Sequence, residues 1–102
     1  MSITTSAITS STANIYASAS STAITWLSLT NYDSGNVLAN VFVVPSGGSA
    51  NTQNIILANL LITGGDTYQL YQAGEKLLLD TGDTVRANCS ANLAAVVSYT
   101  TI

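Results

Sequence analysis

The chain has 102 residues, of which only 7% are charged, with a formal net charge of -3; a typical soluble domain is about 25% charged. Its two basic residues, Lys76 and Arg86, cannot form the basic stripe that phosphate binding requires, which argues against a nucleic-acid partner. The length suits one domain whose core needs neither disulfide nor metal, and no apolar run is long enough to span a bilayer.

Residues 1–21 carry no charge and consist mainly of Ser, Thr and Ala, with Ile3, Ile8, Ile15 and Tyr16 as sparse apolar anchors. They lack the basic start and continuous apolar core of a secretory signal, so a soluble chain without a cleaved leader is expected. So few apolar side chains offset little of the entropy of fixing a backbone. The composition therefore predicts a low-charge N-terminal arm over 1–21 and a folded domain over 22–102. The alternative is an extended arm with a strand at 14–18 that becomes ordered against a neighbouring subunit.

Residues 23–32 (AITWLSLTNY) read as a strand, followed by the turn residues Asp33, Ser34, Gly35 and Asn36. Residues 37–44 read as its hairpin partner, with Val37, Ala39, Val41 and Val43 on one face. Pro45 and the pair Gly47-Gly48 stop that strand. Residues 54–62 (NIILANLLI) suit a strand better than a helix, because the run is short and bounded by Gly-rich loops; Asn59 marks a bulge or turn within it. A turn at 63–66, a strand at 67–71 and a turn at Ala73, Gly74 and Glu75 lead into the last third.

There, Val85, Ala87 and Cys89 alternate with Thr84, Arg86 and Asn88, the period of a half-buried strand. Leu93, Ala95, Val97 and Tyr99 alternate with Ala94, Val96, Ser98 and Thr100, and both sets are mostly apolar. Such a strand is expected to be covered on both faces, by a second sheet, another subunit or both. Gly65-Asp66-Thr67 is echoed by Gly82-Asp83-Thr84, which reads as one turn chemistry used twice: Gly for positive φ, Asp to accept from backbone N–H groups. Short apolar runs at a spacing of roughly 8–12 residues predict an all-β fold, an antiparallel β-sandwich of seven to eight strands, jelly-roll-like or Ig-like.

Leu78-Leu79-Asp80-Thr81-Gly82 resembles the active-site signature of aspartic proteases, in which two Asp share a proton and activate water. Too little chain follows Gly82 for that family's flap, and Asp83 stands where the family has a small residue, so the segment reads as a β-turn. Asp66, Glu75, Asp80 and Asp83 fit no EF-hand spacing, and each sits in a turn that accounts for it. Without His, and with one Cys, neither a zinc site nor a Ser-His or Cys-His nucleophile is expected. No phosphate-loop or dinucleotide fingerprint is present. The reading thus assigns no catalytic, cofactor-binding or metal residue and expects no enzyme. Cys89 reads as a small core residue, and Asn88-Cys89-Ser90 matches the glycosylation sequon by chance. Tyr16, Trp26, Tyr32, Tyr68, Tyr71 and Tyr99 read as packing residues, although a cluster on one exposed face would support sugar stacking.

The pattern from Leu79-Asp80-Thr81-Gly82-Asp83-Thr84-Val85 through Val96-Val97-Ser98-Tyr99-Thr100-Thr101-Ile102 resembles small β-sandwich structural proteins of tailed bacteriophages. Residues 41–49 and 61–68 add to it, so the resemblance spans roughly 23–102. It implies a virion component, assembled in the host cytoplasm: a capsid decoration (cement) protein, or alternatively an accessory of the neck, tail or fibre. It further implies a homo-oligomer, such as a trimer, bound to the major capsid protein or other virion proteins, with no nucleic acid and no membrane. A carbohydrate-binding β-sandwich module is the alternative from another class.

Overall fold

The protein is described by a computed structural model covering residues 2–70 and 77–102. These residues form nine strands and no helix: β1 (Ser2–Ile8), β2 (Ala13–Ala17), β3 (Thr22–Thr30), β4 (Val37–Val44), β5 (Ile55–Ile62), β6 (Thr67–Leu70), β7 (Leu77–Leu79), β8 (Thr84–Cys89) and β9 (Leu93–Thr101). The front sheet runs β1-β9-β3-β6, with β7 also on β3; the back sheet runs β2-β8-β4-β5. All pairings are antiparallel.

The topology is one long ribbon doubled back on itself between β4 and β5. Its successive pairs are β4·β5, then β3 with β6 and β7, then β2·β8, then β1·β9. These pairs fall alternately in the back and front sheets. Pairs β3·β9 and β4·β8 then join the wound ribbon to itself. A wound ribbon of this kind is a jelly roll, which decides between the two sandwich types expected. β6 and β7 take opposite ends of β3 and share one edge position.

This winding corrects two expectations. Residues 1–21 are not an arm outside the domain: β1 pairs with β9 along its whole length and β2 pairs with β8. Ile8, Ile15 and Tyr16 are buried in the common core. The Cα radius of gyration, 12.9 Å, is that of a compact domain of about 100 residues, near 13 Å. The three apolar anchors suffice because the partner strands, at the far end of the chain, supply the rest of each apolar surface. Nor are β3 and β4 a hairpin. They lie in different sheets, and the turn at residues 33–36 carries the chain from front to back. Turn residues reverse the chain but do not choose between the same sheet and the facing one.

Other expectations match the structure. Residues 54–62 contain strand β5, and the ladder between β4 and β5 slips between the pairs Ala39↔Leu60 and Val41↔Leu57. The extra residue falls at Ala58-Asn59, where Asn59 has φ 50° and its N–H donates to Asn40 Oδ1 at 2.9 Å. Asn tolerates this left-handed conformation better than most residues, and the bulge takes up the mismatch. Val85, Ala87 and Cys89 face inward and are buried. The expected turn at 73–75, together with Tyr71 and Lys76, lies outside the described residues.

Gly64 marks the tightest approach of two loops. A Cβ there would fall on the Ser34 carbonyl and within 2.8 Å of the Asp33 carbonyl oxygen. Both obstacles are backbone and cannot swing aside. Gly64→Ala is expected to cost about 2 kcal/mol or more through forced displacement of the 33–36 loop, measured by urea denaturation. Gly35→Ala, with nothing within 4 Å of its added Cβ, is the matched control.

Candidate functional site

The Gly-Asp-Thr echo is one turn built twice. Gly65 (φ 84°) and Gly82 (φ 90°) both hold a positive φ. In each turn the following Asp N–H returns to the carbonyl three residues earlier: Asp66 to Thr63 at 2.9 Å, Asp83 to Asp80 at 3.1 Å. Each turn also clamps one residue of a neighbouring segment from both sides. Gly65 N–H donates to the Asn31 carbonyl while Asn31 N–H donates to the Asp66 carbonyl; Gly82 and Asp83 do the same with Ser18.

Asp83 adds two side-chain bonds, accepting from Asp80 N–H through Oδ2 and from Ser46 N–H through Oδ1, both at 2.9 Å. The segment that resembles a protease signature is therefore a structural turn in which Asp83 holds the backbone and Asp80 is exposed. Asp83→Ala is expected to cost about 1–3 kcal/mol, since it strips two backbone donors of their acceptor. Asp80→Asn is expected to cost no more than about 1–2 kcal/mol, through the turn alone. Chemical denaturation of both variants checks the contrast, and pepstatin-sensitive peptide cleavage by the wild type would overturn the turn reading.

The described acidic residues do not converge. Asp80 and Asp83 share one turn and Asp66 sits in the other, while Glu75 lies outside the described residues. Among the described residues no group of three or more His, Cys, Asp or Glu is placed to hold a metal. Cys89 is buried, its Sγ 3.5 Å from the Ile8 carbonyl oxygen, so it packs against β1. The described aromatic residues do not collect on one exposed face either. Tyr16 and Tyr99 form a tilted pair, ring centroids 4.7 Å apart. Tyr68 packs against the core, Trp26 is half-buried on the front sheet, and Tyr32 is exposed beyond β3.

Two surface features remain. The first is a groove of about 590 Å³ between the edges β1 and β2, lined among others by Thr4, Ser6, Asn14, Tyr16, Ser20 and Tyr99. No charged side chain lines it. At its floor Tyr16 Oη donates to Thr22 Oγ1 at 3.4 Å, and Thr22 Oγ1 donates to the Ser20 carbonyl at 2.8 Å.

The second is the outer face of the front sheet. The strand registers place its residues in rows: Ile3, Ser98 and Trp26; Thr5, Val96, Ser28 and Gln69; Ala7, Ala94, Thr30 and Thr67; Thr100, Ala23 and Leu78. None of these residues is charged, and all but Ala23 and Ser28, which are buried, are at least partly exposed. Ile3 and Leu78 are 68% and 66% exposed, and Thr30 and Thr67 share a hydroxyl–hydroxyl bond of 3.0 Å. The two-faced apolarity of β9 now has a structural meaning. Leu93, Ala95 and Val97 are buried against the back sheet, while Ala94 and Val96, on the opposite face, are half-buried.

The back sheet's outer face differs. It carries the exposed pair Leu38 and Leu61, opposed across β4 and β5; Arg86, whose Nε donates to Thr84 Oγ1 at 3.2 Å; and a chain of side-chain hydrogen bonds from Asn40 to Asn88 to Thr12. That face is cross-linked within itself. On the front sheet, Thr30 and Thr67 share a hydroxyl bond and Thr25 Oγ1 donates to the Ser98 carbonyl at 3.2 Å.

No family model, no curated protein and no solved structure matches the chain.

Proposed function

We propose that the protein is a non-enzymatic structural subunit of a tailed-phage virion, a capsid decoration protein that stabilises a head by non-covalent homo-oligomeric contacts. The observation that carries this reading is the uncharged outer face of the front sheet. A face of Thr, Ser, Ala and aliphatic side chains can be covered by another protein without stranding a charge, the main cost of desolvating a surface. Its hydroxyls can hydrogen-bond across the contact. Exposed Ile3 and Leu78, at opposite edges of this face, supply apolar area for burial. The jelly roll is compatible, since capsid and lectin domains both use it. The sequence pattern over roughly 23–102 points the same way. A neck, tail or fibre position uses the same face.

Peptide mass spectrometry of purified virions with copy-number estimation tests the reading. Hundreds of copies per particle are expected; a few to tens would move the protein to the neck, tail or fibre, and none would refute a virion role. A carbohydrate-binding module is the second reading, favoured by the hydroxyl-lined groove at Tyr16 and Tyr99. Binding of soluble oligosaccharides that shifts the NMR signals of those two rings would support it over assembly.

A further inference from the structure

We propose that strand β1 is an interaction edge whose partner is the same strand of a second copy, paired antiparallel about a two-fold axis at Thr5. The partner's identity rests on the assembly reading; the edge itself is argued from the backbone.

A wound sandwich exposes four strand edges, and each is a template for further pairing unless it is blunted. Three of the four are blunted here. β2 has only five residues, and its ladder slips between Asn14 and Tyr16. β5 slips twice against β4 and contains Asn59 in the left-handed region. The remaining edge is divided, over its described residues, between β6, four residues, and β7, three. β1 has none of these devices. Its seven residues pair with β9 without a break, from Ser2↔Tyr99 to Ile8↔Leu93. The sequence SITTSAI contains no charge, Pro or Gly. A regular, uncharged edge is what strand addition needs.

The choice of a second copy comes from the register. A two-fold at Thr5 sets Ile3 opposite the partner's Ala7 on the outer face, and Thr4 opposite the partner's Ser6 on the inner face. Directly opposed side chains in such a pair have Cβ atoms about 4.5–5.5 Å apart, close enough for a Thr–Ser hydrogen bond. Ser6 lacks such a bond within the single chain. Among the described residues its Oγ is the one buried side-chain polar atom without a partner, and unsatisfied buried hydroxyls are uncommon. Ser6 lies in the inner row with Ala95, Leu29 and Tyr68, and although it borders the hydroxyl-lined groove its Oγ meets none of the groove's polar groups. The pairing gives both copies of Ser6 a hydroxyl partner and covers part of Ile3, the most exposed large apolar residue described. It also joins two uncharged front faces into one.

The two-fold uses both β1 edges at once, so the contact closes at a dimer rather than growing into a fibre. It makes a dimer, not the trimer implied by the resemblance, the elementary unit.

Sedimentation velocity of the full chain across a concentration series tests the inference. The wild type is expected to be a dimer at micromolar concentration. Thr5→Lys puts two like charges together at the axis and is expected to give a folded monomer with an unchanged far-UV circular dichroism spectrum. Thr5→Cys is expected to form an intermolecular disulfide on mild oxidation, whereas Ser10→Cys, on the exposed loop after β1, is not. A monomeric wild type, a Thr5→Lys protein that stays dimeric, or equal cross-linking at positions 5 and 10 overturns the edge pairing. If Thr5→Lys leaves an oligomer intact that Leu78→Lys dissociates, the edge pairing fails while assembly through the front face stands.

Discussion

Deleting residues 1–21 is expected to leave a chain that does not fold. The deletion removes β1 and β2, and with them Ile8, Ile15 and Tyr16 from the core, where they are 2%, 3% and 9% exposed. Burial of each such side chain is worth about 1.5–3 kcal/mol, so the three together carry about 5–9 kcal/mol. That is as large as the whole stability of many domains, about 5–15 kcal/mol. The loss is compounded at β9 and β8, which become bare edges on losing the strands that cover them. β9 then presents an alternating apolar strand to solvent, which favours aggregation. Far-UV circular dichroism and solubility of the truncated chain check this. A soluble, cooperatively unfolding product would show that the first two strands are dispensable.

Asn31→Ala is expected to cost about 3–4 kcal/mol. Asn31 is completely buried. Its Nδ2 donates to the Gly35 carbonyl at 2.7 Å and to the Ile62 carbonyl at 2.9 Å, and its Oδ1 accepts from Asp33 N–H at 3.1 Å. One side chain thus fixes the 33–36 crossing loop and ties it to the end of β5. Its backbone meanwhile is held by Gly65 and Asp66. Removing the amide leaves two carbonyls and one N–H short of a partner, at about 1–3 kcal/mol for each that stays buried. Asn31→Asp is expected to be at least as damaging, because a carboxylate would face two carbonyl oxygens in place of a donor. Urea denaturation of both variants checks the prediction, and a loss below about 1 kcal/mol would contradict it.

Asn31 also shows where sequence reading stops. Within the run AITWLSLTNY it looks like the polar end of a strand, and its importance comes from Ile62, thirty-one residues away. Features settled by local chemistry were legible: the Gly-Asp turns at 65–66 and 82–83, the bulge at Asn59, and the inward face of β8. Features settled by winding were not. β1 looks too polar for a core strand because its inward positions Thr4 and Ser6 lie at an edge, against Val97 and Ala95 from the other end of the chain. The 33–36 segment was legible as a turn, but its crossing between sheets depends on which strand β4 later meets. The candidate assembly face was partly visible as two-sided apolarity in β9. Its uncharged character across the described rows emerged only when registers aligned Ile3, Thr5 and Ala7 with Trp26, Ser28 and Thr30.

Backbone hydrogen–deuterium exchange, compared between dilute and concentrated protein, tests most directly whether this is an assembling subunit that meets its own copies through the front sheet. Concentration is expected to slow exchange in β1 and to leave β5 and the Leu38–Leu61 pair of the back sheet unchanged. Protection that does not depend on concentration in β1, or that rises with concentration in β5 instead, would contradict it.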